Sequence, residues 1–199
     1  AMVADTVKQN AFIDAATGFA RRNGFDGIDI DWEFPDRAAN LRALYSRFLL
    51  RLRATLDSWP TRGILSAAYP TWFWWNPAHT EPIVEISVMN STHDLVDLMQ
   101  YGLQNTSQIS HYAPLYHNPA TNQETMTDRG VIEYKAAGIN ASKLVTLIPF
   151  ECIKMNDNSG ISPVALGHAG GGSQWIGLRD IPGSVTVHWD DIGDVVLFL

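Results

Sequence analysis

Between Phe25 and Glu33 the chain reads Phe-Asp-Gly-Ile-Asp-Ile-Asp-Trp-Glu, with acids at every second position from Asp29. Successive side chains of an extended strand alternate between its faces. Gly27, Asp29, Asp31 and Glu33 therefore share one face, and Ile28, Ile30 and Trp32 the other. Neighbours on one face lie about 6.6 to 7 Å apart along a strand, so their carboxyl groups can approach closely. Carboxylates that share a partly desolvated site repel, and the strain is relieved when at least one keeps a proton near neutral pH. A carboxylic acid held in that state is what a general acid requires. Two other uses of the same pattern stay open: three carboxylates can hold Mg²⁺ or Ca²⁺, and a surface strand can alternate acidic and apolar residues without chemistry.

The elements around this segment set where it can act. Residues 5 to 24 read as a helix, with Val7, Phe12, Ala15, Ala16, Phe19 and Ala20 spaced mostly by three or four and Asn23-Gly24 closing the pattern. A strand follows over 25–34, ended by Pro35. Asn40 is positioned to cap a second helix through about Leu56, with Leu41, Leu44, Phe48, Leu49 and Leu52 on one face. Further strands are expected at 63–69, 95–103 and 144–150, separated by helical stretches at about 79–90 and 127–137. Helix and strand alternating four times implies βαβ units, a parallel sheet and right-handed crossovers. The acidic strand ends on Glu33, and in barrel enzymes the C-terminal strand ends carry the chemistry. Because the other strands are nearly continuous apolar runs, helices are expected over one face and a barrel core over the other. From about Glu151 this rhythm is lost. Residues 156–174, including Gly170-Gly171-Gly172, read as a flexible loop, and 184–189 and 195–199 as short strands of a β-rich appendage.

Composition narrows the partners. The formal charge is −7, with 21 acidic against 14 basic residues. An acidic surface repels phosphate backbones and anionic lipid, so neither nucleic acid nor membrane is expected as a partner. A single cysteine, Cys152, excludes an internal disulfide and reads as a small buried apolar residue. The histidines are scattered without the spacing of a zinc site, so they point to no zinc centre. Sequons at Asn90, Asn105 and Asn140 are compatible with secretion. Trp72-Phe73-Trp74-Trp75 directly follows an expected strand, and flat aromatic faces of this kind suit sugar rings.

The segment Asp26-Gly27-Ile28-Asp29-Ile30-Asp31-Trp32-Glu33 resembles the DGxDxDWE signature of family 18 chitinases at all eight positions. Looser likeness extends over about residues 5–150. Leu65-Ser66-Ala67-Ala68 resembles the fifth barrel strand, Met99-Gln100-Tyr101 the end of the sixth, His111 to Tyr116 the segment after it, and Ile148-Pro149-Phe150 the end of the seventh. The resemblance implies an α/β fold, an incomplete (β/α)8 TIM-type barrel carrying strands four to seven over residues 1–150, with an irregular appendage over 151–199. A complete barrel takes about 250 residues, so self-association is expected as one route to closing an open one.

The resemblance further implies retaining hydrolysis of β-1,4-linked N-acetylglucosamine polymers, assisted by the substrate's own acetamido group. It implies Glu33 as proton donor, Asp31 as partner of the acetamido N–H, Asp29 as the group sharing a proton with Asp31, and Tyr101 as donor to the acetamido oxygen. Asp26, Tyr69, Trp72, Trp74, Trp75, Met99 and Tyr116 are expected to line the sugar site, and chitin or its oligosaccharides to be the partner. The sequence departs from the family pattern at Gly102, where an aspartate is usual, and at Glu151-Cys152, where Tyr-Gly is common. An endo-acting glycosidase of glycoproteins, a lectin-like chitin binder and an inert fragment remain alternatives.

Overall fold

The computed structural model describes residues 2–33, 35, 41–71, 82–104, 107–121, 125–160, 166–167, 169–181, 187–190 and 195–198. Trp72, Trp74 and Trp75, together with Phe34 and the Asn40 cap, lie outside the described residues. The chain divides into two compact units that do not follow a boundary near residue 150. One comprises residues 1–98 and 133–145, the other 99–132 and 146–199.

Helix and strand alternate along the chain: the first unit holds α1 (Thr6–Arg22), β1 (Gly27–Ile30), α2 (Leu41–Asp57), β2 (Ile64–Pro70), α3 (Ile86–Thr92) and all but the last residue of β3 (Leu95–Met99), while α4 (Thr127–Ala136) and β4 (Leu144–Leu147) are each divided between the units. The four strands form one sheet in the order β1-β2-β3-β4. β1 and β2 run parallel, with Asp29 opposite Ser66 and Ile30 opposite Ala67. Asp5 caps α1 by accepting from the N–H groups of Val7 and Lys8 at 2.9 and 3.2 Å, and Gly24 leaves the helix in the left-handed region, at φ +74°.

The core lies on one face of the sheet. Ile30, Leu65, Ala67, Tyr69, Val96 and Leu98 are buried there, with Phe48, Leu49, Leu52 and Leu56 of α2 packed toward them. Each fully buried leucine of this set stabilises the fold by about 1.5 to 3 kcal/mol relative to exposure. Of the expected α2 stripe, Phe48, Leu49 and Leu52 are buried and Leu41 and Leu44 half-buried, and Tyr45, Ser46, Arg53 and Leu56 are buried beside them. The α1 stripe is not the expected one: Gln9, Ile13, Thr17 and Ala20 are buried, while Val7 is 77% exposed and Phe19 is exposed too. Steps of four, four and three through polar Gln9 and Thr17 define that face. The Thr17 hydroxyl donates to the Ile13 carbonyl and the Gln9 amide nitrogen to that of Val3, while the buried Gln9 amide oxygen has no hydrogen-bond partner. Phe12 and Phe19 instead meet Phe48 and Phe25 as aromatic pairs.

Gly27 is fixed by contact rather than by flexibility. A Cβ there would lie 2.0 Å from the Ile64 carbonyl oxygen, so only glycine lets β1 approach β2 this closely. An ion-pair network ties the sheet to α2. Buried Arg53 reaches Asp57 at 2.8 Å, Asp94 at 3.0 Å and the Gly63 carbonyl at 2.6 Å, and Arg62 also pairs with Asp94. Burial pushes the Asp94 carboxyl up, but the Leu65 N–H and the two arginines outweigh it and hold the group below its usual range. Arg53→Met leaves the Gly63 carbonyl and Asp94 without their buried partner, and should cost about 3 kcal/mol in urea unfolding.

The second unit contains two antiparallel hairpins. β5 (Glu151–Asp157) pairs with β6 (Gly170–Gly177), and β7 (Val187–Asp190) with β8 (Val195–Phe198). The glycine triplet is therefore strand, not loop. A Cβ at Gly170 would meet the backbone of Gln108 and Ile109 at 2.9 Å, and one at Gly171 would meet the Asn158 amide at 2.4 Å. Close backbone approach, which only glycine permits, accounts for Gly170 in a run that composition alone assigns to a turn.

Candidate active site

The acidic strand ends earlier than its alternation suggests. Pairing with β2 stops at Ile30↔Ala67, so Asp31, Trp32 and Glu33 lie beyond the last ladder residue. Alternation nevertheless persists in exposure: Asp29, Asp31 and Glu33 are exposed, Ile30 is buried and Trp32 half-buried. Asp26 is exposed at the start of the strand, where its carbonyl accepts from the Ile64 N–H at 2.9 Å.

The face opposite the core changes character along the strands. Ile64 and Leu95 begin it as exposed apolar residues. One position further along the same face stand Ser66 and Asp97, level with Asp29. The Ser66 hydroxyl donates to Asp29 Oδ1 at 2.5 Å, and Asp97 hydrogen-bonds to both Asp29 and Ser66. Burial first, then the Asp29 charge, push the Asp97 carboxyl up to about 6. Among the described residues, no three His, Cys, Asp or Glu side chains are placed to hold a metal ion. A strand that looks apolar in sequence (Leu-Val-Asp-Leu-Met) thus adds a carboxyl to the acid group, and Ser66 joins it from β2. Period-two alternation through Leu95, Asp97 and Met99, set against the acidic face of β1, was the signal that could have found them.

This pair has a consequence for stability. A raised carboxyl keeps its proton longer in the folded than in the unfolded chain, so folding binds protons between pH 3.8 and about 6. Stability contributed by protonated Asp97 is present below that window and is lost as pH rises through it. Asp97→Asn removes the repulsion with Asp29. Its melting temperature should exceed that of the parent at pH 7, with the advantage gone at pH 4, as followed by circular dichroism.

Tyr69 corrects the expected sugar contact. On β2 it turns with Leu65 and Ala67 to the core side, is 2% exposed, and meets His93 Nε2 with its hydroxyl at 2.8 Å. The strand's own alternation removes it from the acid face.

In the second unit, Tyr101 lies two residues past β3, and Gly102 follows in the left-handed region at φ +70°, a conformation that favours glycine over the family's usual aspartate. Met99 is buried and Tyr116 exposed. Tyr101, Tyr112 and Trp175 form a run of aromatic pairs, with ring centroids 6.4 and 5.3 Å apart and the second pair edge-to-face. Glu151, at the departure from the family pattern, accepts from the Tyr112 hydroxyl at 3.0 Å, and burial together with this acid pushes the phenol up. Trp175 is 58% exposed and was not selected from sequence, because its strand was read as loop.

The model of the glycosyl hydrolases family 18 matches residues 1–185. "Chitinase 1" of Aphanocladium album is 28% identical over 96% of this chain and 47% of its own length. "Endochitinase 1" of Metarhizium robertsii is 30% identical over 91% and 44%. In structure, a class V chitinase mutant from Nicotiana tobaccum, solved in complex with NAG4, superposes with a TM-score of 0.84 at 20% identity, covering all of this chain and 61% of that one. A chitinase-like agglutinin from Robinia pseudoacacia gives 0.82 at 23% identity, covering 96% of this chain and 58% of its own. The chain spans less than half the length of those two sequence relatives. The shared fold is of the TIM-barrel type, and a family model that runs through both the acidic strand and the glycine hairpin makes this chain a member of the glycosyl hydrolases of family 18.

Proposed function

We propose that the chain carries the acid centre of a retaining, substrate-assisted hydrolase of β-1,4-linked N-acetylglucosamine polymers. The observation that carries the reading is the exposed line Asp29, Asp31, Glu33 at the C-terminal end of a parallel strand, its base joined to Ser66 and Asp97. Glu33 protonates the leaving glycosidic oxygen. The acetamido carbonyl oxygen attacks the anomeric carbon, the C–O bond to the leaving sugar breaks, and an oxazolinium ion forms. Asp31 holds the acetamido N–H and stabilises the positive charge, and Tyr101 donates to the acetamido oxygen. Glu33, now a carboxylate, takes a proton from the water that opens the ring.

Asp29 supports Asp31 within this scheme. The Ser66 hydroxyl donates to Asp29 and the Asp97 carboxyl hydrogen-bonds to it, which orients Asp29 on the face that it shares with Asp31. Chitin oligosaccharides are the proposed partner. The four parallel strands correspond to part of a barrel, and the activity belongs to the barrel in its completed form, self-association being one way to complete it. Secretion is the expected setting for an enzyme acting on an insoluble polymer.

Likeness to an agglutinin favours a second reading, glycan binding without turnover. Fluorophore release from a chitotriose glycoside, run beside equilibrium binding of chitotetraose, separates the two. Release supports the hydrolase, and binding without release transfers the assignment to a lectin.

A further inference from the structure

The segment carrying Asp31 and Glu33 lies past the last paired residue of β1, so the β1–β2 ladder does not hold it. What does hold it is the residue between the two acids. The Trp32 ring packs edge-on against Tyr45 of α2, with centroids 5.2 Å apart and planes at 77°. Tyr45 in turn stacks on Phe48, which is buried. Its hydroxyl enters a chain of buried polar groups: Tyr45 hydrogen-bonds to Tyr69, Tyr69 to His93 Nε2 at 2.8 Å, and His93 Nδ1 to Thr92 Oγ1 at 2.8 Å. Tyr45, Tyr69, His93 and Thr92 are each no more than 2% exposed.

At the His93 end of this chain the protons follow from Thr92. Thr92 has a single hydroxyl proton and gives it to the Val88 carbonyl at 2.7 Å, so at His93 it accepts. Nδ1 therefore carries the imidazole proton, and Nε2 is left as an acceptor for Tyr69. Tyr69 meets Nε2 with its hydroxyl and also hydrogen-bonds to Tyr45. Burial, reinforced by the Lys143 charge, lowers His93 to about 4, so it is neutral and Nε2 is open at ordinary pH. The other charges acting on His93 are Asp94 and Arg53, which oppose one another.

We infer that Tyr45, anchored through Tyr69 and His93 to the C-terminus of α3, is a positioning residue that fixes Trp32 and thereby aims Asp31 and Glu33. The inference rests on the proposed hydrolase only where it speaks of rate; the placement of Trp32 is independent of it. The chain acts without touching substrate. Each hydroxyl along it has one donor and one acceptor to satisfy, so losing any member frees the Tyr45 ring to rotate and Trp32 to follow. Misplacement of a reacting group by about 1 Å is enough for losses approaching 100-fold.

The test uses the whole 199-residue chain labelled with 5-fluorotryptophan, the Trp32 resonance being identified by Trp32→Phe. Tyr45→Phe and Tyr69→Phe each delete one hydroxyl and keep the ring. Tyr134→Phe is the comparison for burial alone, since its hydroxyl is equally buried but donates to the Pro70 carbonyl at 2.8 Å. In Tyr45→Phe and Tyr69→Phe the Trp32 resonance should shift or broaden, and kcat on a chitotriose glycoside should fall about 10-fold with KM within about twofold. Tyr134→Phe should leave that resonance in place. An unmoved Trp32 resonance in both chain variants, with cooperative melts showing that they fold, overturns the inference. So does an equal shift in Tyr134→Phe. Should the parent chain release no fluorophore, the hydrolase reading fails, and the fluorine spectra still decide the positioning.

Discussion

Glu33→Gln should lower fluorophore release from a chitotriose glycoside by about a thousandfold, while stability changes by less than about 0.5 kcal/mol. The two halves of that expectation have separate grounds. Glutamine matches glutamate in size and hydrogen-bonding reach but has no proton to give to a leaving oxygen, and no carboxylate with which to take one from water. Both halves of the proposed double displacement therefore lose their proton carrier. Stability should hold because Glu33 is exposed and lies beyond the last paired residue of β1. Undiminished release by the glutamine variant would take the acid role away from Glu33. A collapsed melting transition would mean that the residue supports the fold rather than the reaction.

Asp31→Asn should cost about 100- to 1,000-fold in kcat on the same glycoside, because a fixed negative charge facing the oxazolinium ion is replaced by a neutral dipole. The amide still hydrogen-bonds, so affinity should fall much less than rate, and the damage should appear in kcat rather than in KM. The acetamido group gives this expectation its specificity. On a glycoside whose 2-position bears hydroxyl, the assisting nucleophile is missing, and both parent and variant should be close to inactive. Equal rates for parent and Asp31→Asn on the acetamido substrate would exclude substrate assistance at this centre.

How much of this was readable beforehand depends on the local signal. β1 was legible because isoleucine and aspartate alternate without a break, and the helix α2 because Phe48, Leu49 and Leu52 repeat on one face. Asp97 was not legible. One acid inside Leu-Val-Asp-Leu-Met looks like a blemish in an apolar strand until the neighbouring strand places Asp29 level with it. Tyr69 is expected in the sugar site from the resemblance alone, and the two-residue alternation of β2 turns it to the core instead. The β5–β6 hairpin was missed because glycine serves two opposite purposes, freedom in a loop and close contact in a strand, and composition cannot distinguish them. Residues 31–33 show a third kind of gap. Sequence gives their alternation, but only the paired register shows that the ladder stops at Ile30.

The β1–β2 pairing also bears on how quickly the chain can reach its fold. Asp29 and Ser66, which meet across that pair, are 37 residues apart in sequence, and β2 likewise meets β3 only after crossing α3. Each parallel pairing must close a long loop before it gains a single ladder bond, whereas α1 and α2 form from contacts three and four residues apart. Helices should thus be present early in refolding, and the strands should dock late, passing through a collapsed state whose sheet edges are unpaired. In that interval β2, an apolar run through Leu65 and Tyr69, is open to pairing with other chains. Dilute refolding should raise the yield of native protein more than any additive acting on the finished fold.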